Sequence, residues 1–251
     1  MLIQVEHKSI IGTRDEQQDA YYVTTARDTA FAVVCDGMGG TSGGAAASKT
    51  AVDKLRELFD TKDPREPYPD FFLRAVDILD ESVVELRKQP GAEGSGTTLV
   101  AVVIDKGYLY WLSVGDSRLY FIRGSEIVQV TRDHNYALCL AQWAKDDMQS
   151  ERQIPGNCRD DALISFIGIG GVKLFDINEK PFTLLPDDKI LLTTDGLTKA
   201  LENGEIMALL EESRFPKRLD ALFEKVAEKT KRAQDNTTCV LMFINGVAQD
   251  D

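Results

Sequence analysis

Five aspartates stand where strand-like apolar runs stop or begin. Asp36 follows FAVVC, Asp195 follows KILLTT, Asp133 follows IVQVTR, Asp19 directly precedes AYYVTT, and Asp235 sits just before TTCVLM. Any one of them has an ordinary explanation, because Asp is a favoured turn residue that bonds its own backbone. The set carries a different implication. Asp36 and Asp195 each continue into Gly, and each ends a run apolar enough to lie in the interior. If these strand ends converge, several carboxylates share one cleft. Two unit charges about 4 Å apart repel by roughly 4 kcal/mol at an effective dielectric near 20. Protons can settle a pair of carboxylates, whereas five call for divalent cations. The runs contain no His or Cys apart from Cys35, Cys239 and His134. Oxygen donors suit Mg²⁺ or Mn²⁺, while zinc prefers nitrogen and sulfur. Two such ions about 3.5–4 Å apart can clamp a phosphoryl group for in-line displacement.

Strands and helices must bring these residues together. The first eleven residues alternate apolar and polar, a strand pattern, and residues 20–35 read as two strands, the second almost wholly apolar and therefore buried on both sides. A glycine-rich turn, DGMGGTSGGAAAS, leads into a helix with Ala47, Ala51, Leu55 and Leu58 at helical spacing. Residues 61–69 hold three prolines and form a connection; a second helix near 70–89 carries Phe72, Val76, Leu79, Val83 and Leu86 on one face. From 97 to 130 the runs TTLVAVVI, YLYWLSV, RLYFIR and EIVQV are separated by short turns, which predicts antiparallel neighbours. Residues 134–162 are the least regular and read as a mobile surface insertion. Strands resume over 172–194, helices follow near 203–213 and 216–232, and TTCVLMFI closes the chain. Meanders with separate helices and no βαβ alternation predict an α+β protein with antiparallel sheets. No linker divides the chain, so one domain over 1–251 is expected.

Composition excludes several roles. With 29 basic and 41 acidic side chains the formal net charge is −12. Such a chain is poorly suited to replacing counterions on nucleic-acid phosphates or to docking on anionic membrane. Cys35, Cys139, Cys158 and Cys239 are scattered with no CxxC pair, so neither a disulfide framework nor a zinc ribbon is expected. No targeting signal and no apolar run of about 18 residues is visible, and the cytoplasm is the expected location.

The strings RDEQQDAYY (14–22), VVCDGMGGTSGG (33–44), GSGTTLVA (94–101), VGDSRLYFIR (114–123), VTRDH (130–134), LLTTDGL (191–197) and QDNTTCVLM (234–242) occur in this order. Together they resemble the motifs of the metal-dependent protein phosphatases, the type-2C serine/threonine phosphatases, in their compact bacterial form. The resemblance implies two packed antiparallel sheets flanked by helices on both outer faces, an α-β-β-α sandwich. It implies hydrolysis of phosphoserine and phosphothreonine in proteins by a hydroxide bridging two ions, Mn²⁺ or Mg²⁺, without a phosphoenzyme. By the same resemblance Asp36 bridges both ions, with the Gly37 carbonyl a further ligand, and Asp195 and Asp235 bind the ion on the other side. Asp19 holds bound water or ligates directly, and Asp133 forms a weaker third site with Asp195. Arg14 grips the substrate phosphate through its guanidinium fork. Residues 134–162 match a flap beside the cleft. The implied partners are phosphoproteins, including a Ser/Thr kinase and its targets, and the implied state is a monomer.

Some positions depart from the family pattern. Gln18 replaces a frequent Glu, which favours a water bridge there. Met38 replaces the His that eukaryotic members use as general acid, so the leaving group must take its proton from bound water or another residue. Thr41 and Gly44 replace His and Glu, at little expected cost, and Lys199 occupies a position that is often acidic. Every aspartate needed for metal is present, which favours an enzyme over a non-catalytic phosphoprotein-binding relative; a small-metabolite phosphatase is the second alternative, separated by comparing a phosphothreonine peptide with sugar phosphates. The glycine run at 37–44 lacks the GKS or GKT ending of a P-loop; it is expected to let backbone pass close to the ions. Asp116 and Arg118 are expected to stabilise a hairpin outside the site. His7 is expected at the surface, His134 beside Asp133 as its orienting partner, Cys35 as a buried thiol, Trp111 in the core and Trp143 in the flap.

Overall fold

The computed structural model describes residues 2–40, 43–145, 159–213, 215–230 and 233–246. The amino-terminal half contains β1 (Leu2–Ile10), β2 (Asp19–Ala26), β3 (Thr29–Met38), α1 (Gly43–Asp60), α2 (Tyr68–Leu86), β4 (Gly96–Thr97), β5 (Leu99–Asp105) and β6 (Tyr108–Val114). There follow β7 (Arg118–Arg123), β8 (Glu126–Gln129), α3 (Tyr136–Lys145), β9 (Asp176–Ile177), β10 (Phe182–Thr183) and β11 (Lys189–Thr193). The chain ends with α4 (Asp195–Thr198), α5 (Asn203–Glu212), α6 (Arg218–Lys229) and β12 (Thr237–Asn245).

Alternation along the strands dictates the layers. On β3, Phe31, Val33 and Cys35 face a core shared with α1 and α2, while Ala30, Ala32 and Val34 face a core between two sheets. On β12, Val240, Met242 and Ile244 enter that same middle core, and Cys239 and Leu241 turn to α5 and α6. Strands that are apolar on both faces need cover on both faces, and the result is the expected α-β-β-α sandwich. One sheet has the order β1-β12-β11-β7-β8; the other runs β10-β6-β5-β3-β2, with β4 added to β3 and β9 to β6. Both are antiparallel. α2 starts with Pro69 in its first turn, where no backbone donor is needed, and buries Phe72, Val76, Leu79 and Val83.

Three expectations are corrected. β6 and β7, joined only by residues 115–117, do not form a hairpin: β6 pairs with β5 and β7 with β11, in different sheets. Leu112 and Val114 of β6 belong under α1 and α2, whereas Tyr120 and Ile122 of β7 belong under α5 and α6, so the short link must turn a corner between sheets. Within the segment expected to be irregular, residues 136–145 form α3, while 146–158 lie outside the described residues. The strands expected over 172–186 shrink to the two-residue β9 and β10. Among the described residues no helix is long and apolar enough to cross a membrane.

Candidate active site

The site lies where strands of both sheets end. Asp19 and Asp36 face each other across the β2–β3 pair. The β3 terminus is clamped from behind: the Asp36 amide donates to Thr98 Oγ1 at 2.9 Å, and the Thr98 amide and Thr97 hydroxyl donate to the Asp36 carbonyl, each at 2.9 Å. Thr98 Oγ1 also shares a hydrogen bond with Ser117 Oγ at 2.7 Å, so the GSGTT and GDSR strings meet behind Asp36. Gly37 follows, and a Cβ there would fall 2.1 Å from the Gly44 carbonyl oxygen and 2.6 Å from that of Gln18. Only hydrogen fits.

In the other sheet β11 runs straight into α4, whose first residue is Asp195. A Cβ on Gly196 would lie 2.0 Å from the Asn236 carbonyl oxygen, so α4 sits flush against the start of β12 and draws Asp195 towards Asp235. One ammonium reaches both: Lys199 Nζ is 2.5 Å from Asp195 Oδ2 and 3.1 Å from Asp235 Oδ2. Arg14 Nη2 takes the other oxygen of Asp235 at 2.9 Å. The two sheets are tied at this point by Thr194, whose hydroxyl donates to Asp19 Oδ2 at 2.9 Å and accepts from the Thr238 amide at 3.0 Å.

Burial and crowding raise the carboxyls. The Asp36 carboxyl is held well above the ordinary range, by burial first and then by repulsion from Asp19, Asp195, Asp116 and Asp235. Burial pushes Asp19 up to about 7 against the hydrogen bonds of Thr238 and Thr194, with Asp195 and Asp235 adding repulsion. Burial likewise raises Asp116 to about 7, helped by Asp195 and Asp133 and opposed by Lys199. Among the described residues no three His, Cys, Asp or Glu side chains close into a ready-made ion cage; Lys199 and Arg14 stand among the carboxylates instead. The donor set still fits a hard divalent cation. It is all oxygen, and Asp19 Oδ1 and Asp195 Oδ1 are buried without a hydrogen-bond partner.

The cleft has two compartments that meet at Asp36, Met38, Asp195 and Lys199. One, of about 490 Å³, is walled by Asp116, Arg118, Asp133 and Arg159; the other, of about 500 Å³, by Arg14, Glu16, Gln18, Gly37 and Asp235. Asp116 and Arg118 are thus in the site, contrary to expectation, because the 115–117 link is a corner and not a hairpin turn. Asp133 is present, but both its oxygens accept from Arg118, at 3.0 and 2.6 Å, and Oδ1 also accepts from Gln129 at 2.8 Å. The open carboxylate on that side is Asp116. His134 does not orient Asp133. It is buried, its Nδ1 accepts from the Gly115 amide at 3.1 Å, and its Nε2 is 3.5 Å from Asp176 Oδ2, so it braces the corner that carries Asp116. Sequence reasoning also missed Asn236. Its Oδ1 accepts from the Gln18 amide at 2.8 Å and its Nδ2 donates to the Ile11 and Glu16 carbonyls at 2.8 and 3.1 Å, which fixes the loop bearing Arg14. The QDN string was its available signal.

Comparison with known proteins adds an independent line. The family model of protein phosphatase 2C matches residues 8–241. The serine/threonine phosphatase stp of Listeria welshimeri is 27% identical over 218 residues, covering 85% of this chain and 84% of that protein. The serine/threonine phosphatase structure from S. agalactiae has a TM-score of 0.83 at 24% identity, over 97% of this chain and all of that one, and shares the fold. The Ser-Thr phosphatase MsPP of Mycobacterium smegmatis, solved with cacodylate, has a TM-score of 0.75 at 27% identity, over 96% of this chain and 98% of that one.

Proposed function

The chain belongs to the protein phosphatase 2C family and is a protein serine/threonine phosphatase; we propose that it hydrolyses phosphoserine and phosphothreonine directly, using two divalent cations, Mn²⁺ or Mg²⁺, and no phosphoenzyme. The observation that carries this reading is the convergence of Asp36, Asp116, Asp195 and Asp235 on one cleft, with Asp19 paired beside Asp36 on the neighbouring strand. When bound, the ions would supply charge for the phosphoryl oxygens and a water acidic enough to serve as nucleophile.

The chain's own groups divide the remaining work. Asp36, at the junction of the compartments, is the carboxylate both ions would share, with the Gly37 carbonyl beside it. Asp195 and Asp235 would hold one ion. Asp19, with Oδ2 committed to Thr194, offers Oδ1 to an ion or its water. For a weaker third ion the available groups are Asp195 Oδ1 and the Asp116 carboxylate, while Asp133, the residue expected from sequence, holds Arg118 at the wall. Arg14 is largely exposed and spends one nitrogen on Asp235, which leaves guanidinium donors for the substrate phosphate. Met38 has no proton to give, so the leaving serine or threonine oxygen takes its proton from water.

Phosphoproteins, and the Ser/Thr kinases that produce them, are then the natural partners. One chain supplies every side chain named here, so a monomer suffices. The free thiols of Cys35, Cys139 and Cys239 suit the cytoplasm. Phosphate release from a phosphothreonine peptide and from a sugar phosphate, with chelator and with Mn²⁺ restored, tests the reading. Peptide hydrolysis that stops on chelation and returns with Mn²⁺ supports it. Activity indifferent to chelator overturns the metal, and preference for the sugar phosphate overturns the substrate class.

A further inference from the structure

We propose that Lys199 is a displaceable internal cation: it holds the metal-free cleft together and weakens binding of the divalent ion on the Asp195–Asp235 side. The inference rests on the metal-dependent reading above and goes beyond it, since it concerns what the ion must remove.

The geometry is that of a stand-in. A single ammonium bridges one oxygen from α4 and one from Asp235, two residues before β12, at 2.5 and 3.1 Å, and these are two of the oxygens an ion would need. Its reach is set by helix spacing, because Lys199 lies four residues after Asp195 and so stands one turn above it. A lysine head offers three donors and no acceptor. It can neutralise carboxylates but cannot join them in coordinating a cation. Ion and ammonium therefore compete for Asp195 Oδ2 and Asp235 Oδ2.

Release is easy by design of the side chain. Lys199 is 54% exposed and borders both compartments, so its flexible stem can carry the ammonium into water without disturbing the core. Arg14 differs. It grips Asp235 through Oδ1, an oxygen that Lys199 does not touch, and can stay in place when Oδ2 changes partner. In the metal-free protein the ammonium relieves repulsion between Asp195 and Asp235. Once displaced it remains nearby and still repels a divalent ion, so both effects lower affinity.

Isothermal titration with Mn²⁺ and thermal unfolding of the metal-free protein, on the full chain, test the idea with Lys199→Met, Lys199→Gln and Lys199→Arg. The neutral variants are expected to bind one Mn²⁺ about tenfold more tightly and to unfold a few degrees lower without metal. Lys199→Arg should stay near the wild-type affinity. Unchanged or weaker Mn²⁺ binding in both neutral variants overturns the role of Lys199 while leaving the metal site intact. A wild-type protein that takes up no Mn²⁺ overturns the functional reading and this inference together.

Discussion

Asp195 and Asp235 meet the ammonium of Lys199 and the guanidinium of Arg14, whereas Asp19, Asp36 and Asp116 have no salt-bridge partner among the described residues, and Asp36 is crowded by both of the others. The two sides treat the same chemistry in opposite ways. One carries its own positive charge and is tolerable without an external ion. The other is left with hydroxyls and backbone amides, and its carboxyls rise towards neutrality for want of a cation. A site that only had to be stable would have paired all five. Leaving three unpaired costs stability, and on the proposed reading it reserves their oxygens for a cation that the chain does not itself supply. The Asp133–Arg118 pair shows that the chain can pair a carboxylate in this cleft.

The contrast can be broken most severely at Asp36. Asp36→Asn should lower kcat by about 10³-fold or more, and the metal-free variant should unfold no lower than wild type, because a buried and repelled charge has gone. Calorimetry and phosphopeptide turnover measure the two effects; near-normal turnover would put the chemistry elsewhere. Next comes Arg14→Ala, expected to cost roughly tenfold to a hundredfold in kcat/KM through lost charge-assisted contact with phosphate, with little change in unfolding temperature.

Asp116 and Asp133 sharpen the comparison within one wall. Asp116→Asn should reduce turnover by about tenfold with a neutral or favourable effect on metal-free stability. Asp133→Asn should act mainly on stability, by about 1–2 kcal/mol in urea unfolding, since it breaks a half-buried bidentate pair with Arg118. Equal catalytic loss in both would show that Asp133 serves the metal as well. The smallest effect concerns pH. Asp19 and Asp116 titrate near 7 in the folded chain against 3.8 when unfolded, so the folded state holds the extra protons. Their contribution is present below the unfolded value and lost as pH rises through about 7. The metal-free protein should therefore lose roughly a few degrees of unfolding temperature between about pH 5 and pH 8, and saturating Mn²⁺ should flatten or reverse that slope.

Most of the layer structure was legible because β3 and β12 are apolar on both faces, and a strand that buries both faces must be an inner one. Asp36, Asp195 and Asp235 were legible for the same reason, as polar residues at the ends of such strands. The link at 115–117 was not. A three-residue turn between two strand patterns reads as a hairpin, and the choice between pairing and turning a corner depends on which helical layer Leu112 and Tyr120 each cover. That choice hid Asp116 and Arg118. His134 was obscured by its neighbour, since adjacency to Asp133 suggested help for that residue while its hydrogen bond runs to Gly115, and Asn236, whose hydrogen bonds run to the 11–18 loop, carried no pattern of its own beside Asp235. The role of Lys199 needed Asp235, which lies 36 residues away.

Crystals grown with Mn²⁺ and measured at the manganese absorption edge give the most direct answer. Two strong anomalous peaks between Asp36, Asp195 and Asp235, with Lys199 swung away from Asp195, are the expected result. No peak within reach of Asp36, or manganese bound only on the outer surface, would contradict it.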